Sequence, residues 1–205
     1  MRVESPRVAA ERERLRGRYR PARVRILFVG ESPPASGRFF YQADSGLYRA
    51  VRQTFLAAFP ALEGADFLEA FRKLGCYLVD LCGRPVDQLT AKQRRLACAR
   101  GEAQLGETIR RLDPEVIVTV VRSIARNVER ARALAKWQGS HLELPYPGRW
   151  MFHRYEFQRV LVPVLRRTLP ACGRNSRSAQ KKHFAESKGP RRVKIPILTS
   201  QKSRR

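Results

Sequence analysis

Short apolar runs alternate along the chain with longer stretches in which apolar residues recur every three or four positions. Continuous apolar runs are typical of strands buried in a parallel sheet, and recurrence at helical spacing is typical of amphipathic helices. The runs predict strands at residues 24–30, 76–82, 116–121 and 141–144. The periodic stretches predict helices at residues 46–59, 67–74, 90–112, 123–137 and 150–169. Within the last helix Pro163 is a potential kink. The alternation predicts an α/β fold, a three-layer α/β/α sandwich around a four-stranded, mostly parallel sheet.

The loop after the first predicted strand stands out. Gly30 closes the apolar run, and Glu31, Ser32 and two prolines follow it. Prolines stiffen a loop, and open α/β sheets place their chemistry beyond the carboxyl ends of the strands. Because the loops after parallel strands meet at one edge, we predict a pocket around Glu31. The loops that would form it are residues 31–41, 83–85, 122–123 and 145–150.

The charge of the chain points to a polyanionic partner. The 205 residues carry a net charge of +24, and 43% of them are hydrophobic, which is enough for one sizeable core. Nucleic acid is the default partner of such a protein, and binding of this kind weakens steeply with salt. The alternative is that the charge serves only solubility.

Composition divides the chain into three parts. Residues 1–22 form a basic N-terminal arm, frayed or briefly helical, whose charges we expect to face solvent rather than phosphates. Residues 23–170 form the folded domain. Residues 171–205 hold 11 Lys and Arg against one acidic residue and lack apolar density, which predicts a disordered basic tail. That tail is either a nucleic-acid tether or an extension without function.

The four cysteines contain no Cys-x-x-Cys pair, and the three histidines show no metal-ligand spacing. No signal peptide and no apolar run of about 20 residues is present in the sequence. We therefore expect a reduced, cytoplasmic compartment with free thiols. We also expect a monomer without membrane contact, bound metal or organic cofactor.

Three segments resemble the motifs of the uracil-DNA glycosylase superfamily, and the resemblance covers roughly residues 24–169. Gly30-Glu31-Ser32-Pro33-Pro34 and then Gly37-Arg38-Phe39-Phe40 resemble the Gly-Glu-Ala-Pro-Gly and Gly-Arg-Pro-Phe elements of its iron–sulfur branch. Asp80-Leu81-Cys82-Gly83-Arg84-Pro85 resembles the base-reading segment, with Asp80 near the place of an asparagine. The segment from Leu144 to Arg149 resembles the last motif, with Leu144 where that family has a histidine.

The resemblance implies a role for each site residue. Glu31 would steady the sugar cation or position water, and His153 or Arg149 would balance the charge of the leaving base. Phe40 would stack on an extruded base, and Asp80 would contact the base edge. Ser32, Pro33 and Tyr146 would also line the substrate site, and the residues implied to contact DNA are Arg38, Arg84, Arg122 and Trp150.

Structural alternatives stay open for several of these residues. Glu31 can instead pair with Arg38 or Arg84, and Phe39 and Phe40 can plug the core. His153 can be a structural histidine on a helix flank, and Trp150 can pack at a helix start.

The resemblance implies excision of a damaged base by hydrolysis of the base–sugar N-glycosidic bond. An ionised aspartate accepts hydrogen bonds but cannot donate them, so Asp80 argues against a preference for uracil. With Leu144, it favours the alternative of a catalytically inactive nucleic-acid-binding module of the same fold. An enzyme acting on small nucleotides is a third reading, which no Gly-rich phosphate loop supports. Cys82 and Cys98 are spaced like two of the branch's four cluster ligands, but residues 1–30 hold no cysteine, so no cluster is expected.

Overall fold

The computed structural model describes residues 5–170. Four strands form one sheet in the order β2-β1-β3-β4, and every neighbouring pair is parallel. The strands are β1 (Ile26–Gly30), β2 (Cys76–Asp80), β3 (Val116–Thr119) and β4 (Ser140–Glu143). The predicted three-layer α/β/α sandwich is confirmed, and the sheet is fully parallel.

Six α-helices lie in the described part of the chain: α1 (Pro6–Arg18), α2 (Gly46–Ala58), α3 (Phe67–Lys73), α4 (Ala91–Leu112), α5 (Ala125–Ala135) and α6 (Met151–Thr168). Short 3₁₀ turns lie at Phe40–Gln42, Pro60–Leu62 and Arg122–Ile124. Side chains that accept from free backbone N–H groups start four of the helices. These N-cap residues are Ser5, Ser45, Asp66 and Thr90. Helix α6 continues across Pro163. None of the helices in residues 5–170 has the length and apolarity needed to cross a membrane.

The central strand β1 positions the site. All five of its residues are buried because it has a partner strand on either side and helices on both faces. Rings from α2 and α3 pack on Phe28, with centroids 6.4 Å away at Phe55 and 5.5 Å away at Phe71. The loop that follows β1 therefore starts from the best-buried part of the sheet, at the middle of its carboxyl edge.

The outer edge of β2 is closed by a side chain. The Tyr41 hydroxyl donates to the Leu78 carbonyl at 3.1 Å and accepts from the Leu78 N–H at 2.8 Å. Burial raises the pKa of Tyr41, so the hydroxyl keeps the proton that it donates. These two bonds also fix the turn that carries Phe40, because that residue precedes Tyr41 in the chain.

The basic N-terminal arm differs from the prediction. Residues 6–18 form a regular helix, and Arg12 and Arg16 are buried, with 6% and 9% of their surfaces exposed. They are four residues apart and thus share a helix face. Arg12 donates to the Gly83 carbonyl at 3.0 Å, and Arg16 donates to Asp80 at 2.7 Å. The prediction of a solvated charged face is wrong for these two arginines, because the face they share packs on the end of β2. The predicted tail, residues 171–205, lies outside the described residues.

Candidate active site

A cavity of about 440 Å³ opens at the carboxyl edge of the sheet. Segments that follow all four strands contribute to its lining, so a gathering at one edge is confirmed. Two of the predicted loops, residues 83–85 and 122–123, are not part of the lining, and Asp87 and Val120 with Val121 contribute instead. Seven of the predicted site residues line it: Glu31, Ser32, Pro33, Phe40, Asp80, Tyr146 and Arg149.

Glu31 lines the cavity and is held by Arg94 in the first turns of α4. The Arg94 guanidinium donates to both carboxylate oxygens of Glu31, from Nε to Oε1 at 2.5 Å and from Nη2 to Oε2. The Cys98 thiol adds a contact of 3.7 Å to Oε1. The side chain of Glu31 is only 13% exposed, so this two-point grip fixes its orientation. The alternative that Glu31 pairs with Arg38 or Arg84 is wrong in its partner, because α4 delivers Arg94 instead.

Asp80 forms the floor of the cavity beside Glu31. Its Oδ2 pairs with Arg16 at 2.7 Å, and the two side chains are 8% and 11% exposed. A Cβ at Gly30 would lie 2.7 Å from Asp80 Oδ1, so this close approach requires glycine at the end of β1. Burial raises the pKa of Asp80, and the Arg16 and Arg12 guanidiniums oppose that rise. One oxygen of the Asp80 carboxyl group in the cavity, Oδ2, is thus already bonded to Arg16.

Phe40 packs in the core and also lines the cavity, so it combines the two roles predicted as alternatives. It is 3% exposed, and its ring packs against those of Tyr41, Tyr48 and Phe71 at centroid distances of 5.2, 5.9 and 5.3 Å. It nevertheless contributes to the cavity wall. The ring is therefore a rigid apolar wall, fixed by its neighbours, against which a planar group can lie.

The segment after β4 closes the cavity on the other side. Leu144 is buried in the core, with 2% of its surface exposed, and so presents no polar group to the cavity. Tyr146 and Arg149 line the wall, and burial raises the pKa of Tyr146. The Arg149 guanidinium lies over the Trp150 ring, 5.0 Å from its centroid. Arg149 is exposed and brings a permanent positive charge to the mouth of the cavity.

The profile of the Uracil DNA glycosylase superfamily matches residues 17–186, which is most of the chain. The chain belongs to the uracil-DNA glycosylase superfamily. A search of curated proteins finds no match.

Neither of the two histidines in residues 5–170 of this uracil-DNA glycosylase superfamily protein lines the cavity that holds Glu31. His153, in the first turns of α6, packs on Phe152 with a centroid distance of 4.2 Å and an angle of 59° between the rings, and it is not part of the cavity lining found in residues 5–170. His141, in β4, accepts from Arg132 at Nδ1 (3.0 Å), so its proton lies on Nε2, 2.9 Å from the Thr119 hydroxyl. Burial and Arg132 lower the pKa of His141.

The residues implied to contact DNA spread along the same edge. Arg38 and Arg84 are exposed, and Arg84 lines a second groove of about 1010 Å³ that meets the cavity at Pro34. Arg122 pairs with Glu156 of α6, and Trp150 is 51% exposed. Trp150 directly precedes α6, and about half of its surface is covered, so it combines a packed side with a side that faces solvent.

Three cysteines of this superfamily member lie within residues 5–170, at positions 76, 82 and 98, and all three are free and buried. The Cys82 and Cys98 sulfurs lie 3.8 Å apart next to Glu31. Residues 5–170 hold no group of three or more side chains placed to bind a metal ion. The described residues therefore do not fit a four-thiolate iron–sulfur cluster. Burial and the neighbouring Cys98 raise the pKa of Cys82 to about 12, which makes it a poor nucleophile.

Two arginines that bind the site carboxylates, Arg94 and Arg16, were not predicted from the sequence. Arg94 follows the β2 loop directly, in the first turns of the helix that starts at the same edge, and this placement is the signal that could have found it. Arg16 had only its spacing of four from Arg12 as a signal, since nothing in the sequence says that α1 reaches the end of β2.

Proposed function

We propose that this uracil-DNA glycosylase superfamily protein excises a damaged base from DNA by hydrolysing the base–sugar N-glycosidic bond. The observation that carries the proposal is the Glu31 carboxylate, oriented by Arg94 in a cavity that also holds the Phe40 ring and Asp80. The cavity thus combines a carboxylate, an aromatic ring on which a base can stack and a group that can hydrogen-bond to the edge of a base. A cavity of about 440 Å³ is also in the range that small-molecule sites occupy.

The proposed step breaks the bond between C1′ and the base nitrogen and forms a bond between C1′ and a water oxygen. The electron pair of the broken bond leaves with the base, and the sugar becomes transiently cationic. Glu31 stabilises that cation and orients the water, which ends as the C1′ hydroxyl after losing one proton to solvent. Arg149, at the cavity mouth, offsets the negative charge on the leaving base. That base is neutralised by a proton from solvent.

The other walls serve selection of the base. Phe40 lies where it can stack on a base that has left the helix. Asp80 accepts hydrogen bonds when ionised, so it suits a base edge that presents an N–H group. Around them, the net charge of +24 favours binding to the phosphate backbone.

A second candidate function is a nucleic-acid-binding module of the same fold without catalysis. The position of Leu144 favours it, because a buried leucine takes the place where the superfamily motif has a histidine. The pairing of Glu31 with Arg94 favours it as well, since the guanidinium cancels part of the field that would stabilise a cation.

The test is base release from oligonucleotides that each carry one uracil, hypoxanthine or xanthine, single-stranded and in duplex. Abasic sites are cleaved with alkali and the fragments are counted for the parent, for Glu31→Gln and for Glu107→Gln. Glu107 is a matched control because it is an exposed glutamate that also pairs with an arginine, Arg110. We expect Glu31→Gln to lower the rate by about 100-fold or more, with little change in Kd, and Glu107→Gln to keep the parent rate.

Two outcomes would contradict the proposal. If the parent binds every oligonucleotide in low salt but releases no base, the binding module is the function. If Glu31→Gln releases base as fast as the parent, another group performs the chemistry.

A further inference from the structure

The N-terminal turns of α6 carry large apolar side chains that face solvent. Trp150 is 51% exposed, Met151 61%, Phe152 64% and Tyr155 68%. The other exposed large apolar side chains in the described residues are Tyr146, which lines the cavity, and single residues on three other helices: Val8 on α1, Leu96 on α4 and Leu134 on α5. Clustered exposed aromatic residues mark an interaction surface, whereas single ones need no explanation.

Phe152, Tyr155 and Arg159 form a stripe along one face of α6. Their spacing of three and four residues stacks them on the same side of the helix, and all three are exposed. The rings of the stripe are separated by about 4.5 Å along the helix axis. The opposite face of α6 carries Phe157 and Leu161, which are fully buried. The stripe is therefore the outer face of a helix that the core holds in place.

The stripe continues the cavity wall. Arg149 lines the cavity and stacks on Trp150, and Trp150 directly precedes the helix that carries the stripe. A strand whose nucleoside enters the cavity past Arg149 would meet Trp150 and then the stripe with its next nucleotides. Cations accompany the rings along this path, with Arg149 at one end and Arg159 at the other. Aromatic rings among arginines are the composition that binds unpaired bases, since the rings stack on bases and the guanidiniums meet phosphates.

We propose that Trp150 and the Phe152–Tyr155–Arg159 stripe bind single-stranded DNA that flanks the target nucleotide. In a duplex the faces of the bases are covered by their neighbours, so they cannot lie on Phe152 and Tyr155. The surface therefore makes single-stranded DNA the preferred form of substrate. The inference rests on the proposed function for the identity of the target nucleotide, but the binding itself requires no catalysis.

The experiment measures Kd by fluorescence anisotropy for one undamaged oligonucleotide, single-stranded and in duplex, over a series of salt concentrations. The full-length parent is compared with the double variant Phe152→Ala/Tyr155→Ala, with Arg159→Gln and with the controls Leu96→Ala and Leu134→Ala. The controls remove side chains that are each 52% exposed on other helices. Circular dichroism and Tm establish that each variant is folded, as expected for changes at exposed positions.

We expect the double variant to raise Kd for the single strand at least about tenfold and to leave Kd for the duplex nearly unchanged. It should keep the parent's salt dependence, because no phosphate contact is lost. Arg159→Gln should lower the slope of log K against log salt by about 0.7. Trp150 fluorescence should be quenched by the single strand, and Trp150→Phe should abolish the quenching, since the other tryptophan, Trp137, is buried.

A double variant that binds the single strand as tightly as the parent would overturn the inference and make a protein the better occupant of the stripe. Equal losses for single strand and duplex would overturn the strand preference. The base-release assay separates the two proposals. If the parent releases no base but the double variant loses single-strand binding, the catalytic proposal fails and the stripe stands. If the parent releases base but the stripe variants bind the single strand as the parent does, the catalytic proposal stands and the proposal for the stripe fails.

Discussion

Replacing Arg16 by methionine should destabilise the protein strongly at neutral pH. Arg16 pairs with Asp80 at 2.7 Å, and neither side chain is more than 11% exposed. Methionine keeps much of the apolar packing but leaves the Asp80 carboxylate buried without its partner. Loss of one partner of a buried ion pair costs roughly 3–5 kcal/mol, so we expect the free energy of unfolding to fall by about that amount.

The effect should depend on pH in a defined direction. Burial raises the pKa of Asp80 and Arg16 opposes the rise, so the pKa rises further in the variant. A raised carboxyl pKa in the folded state means that the folded protein holds its proton more tightly than the unfolded chain does. The penalty is then complete above the folded-state pKa and shrinks as the pH falls towards the ordinary aspartate value of about 3.9. The gap between parent and variant should therefore be smaller near pH 4.5 than at pH 7.5.

The assay is urea unfolding of the parent, Arg16→Met, Asp80→Asn and the double variant, followed through the fluorescence of the two tryptophans, of which Trp137 is buried. Arg14→Met is the matched control, because Arg14 lies on the same helix and pairs with Glu11 but is 74% exposed. It should change the free energy of unfolding little or not at all, because solvent screens an exposed pair. The double variant should be less destabilised than the sum of the two single variants. Additive losses, or a loss under about 1 kcal/mol for Arg16→Met, would refute the reasoning.

Two further predictions concern titratable groups outside the cavity lining. Because burial and Arg132 lower the pKa of His141, acidification from pH 7 to 5 should destabilise the parent more than His141→Gln, as measured by Tm; parallel curves would contradict this. Because the pKa of Cys82 is raised to about 12, roughly one thiol in ten thousand is ionised at pH 8. Iodoacetamide should therefore label Cys82 at least about 1,000-fold more slowly in the native protein than in urea, and mass spectrometry showing equal labelling would exclude the buried environment.

The parts of the fold that depend on neighbours in sequence were predictable. The uninterrupted apolar run before Gly30 identified the central strand, because a strand buried on both faces tolerates no polar residue. The stop at Gly30 located Glu31 at the sheet edge. Strand ends were less certain: the run at residues 76–82 outlasts the strand, which ends at Asp80. Apolar residues beyond the ladder are buried as well, so hydrophobicity alone does not mark the last paired residue.

The parts that depend on partners distant in sequence were not predictable. Glu31 meets Arg94 across 63 positions, and Asp80 meets Arg16 across 64. The chain holds 42 Lys and Arg, and charge alone does not say which of them reaches a given carboxylate. The prediction that the charges of the N-terminal arm face solvent was wrong for the same reason, because Arg16 is buried through its ion pair with a distant carboxylate, Asp80.

The hydroxyl of Tyr41 has a consequence for the behaviour of the protein in concentrated solution. β2 is an outer strand, and an outer strand with open N–H and C=O groups is a template on which a second polypeptide can align. Tyr41 occupies both backbone groups of Leu78, at the midpoint of that strand. The sheet is therefore blocked on this side against recruitment of a foreign strand, and the ring that blocks it belongs to the same turn that holds Phe40 in the cavity wall.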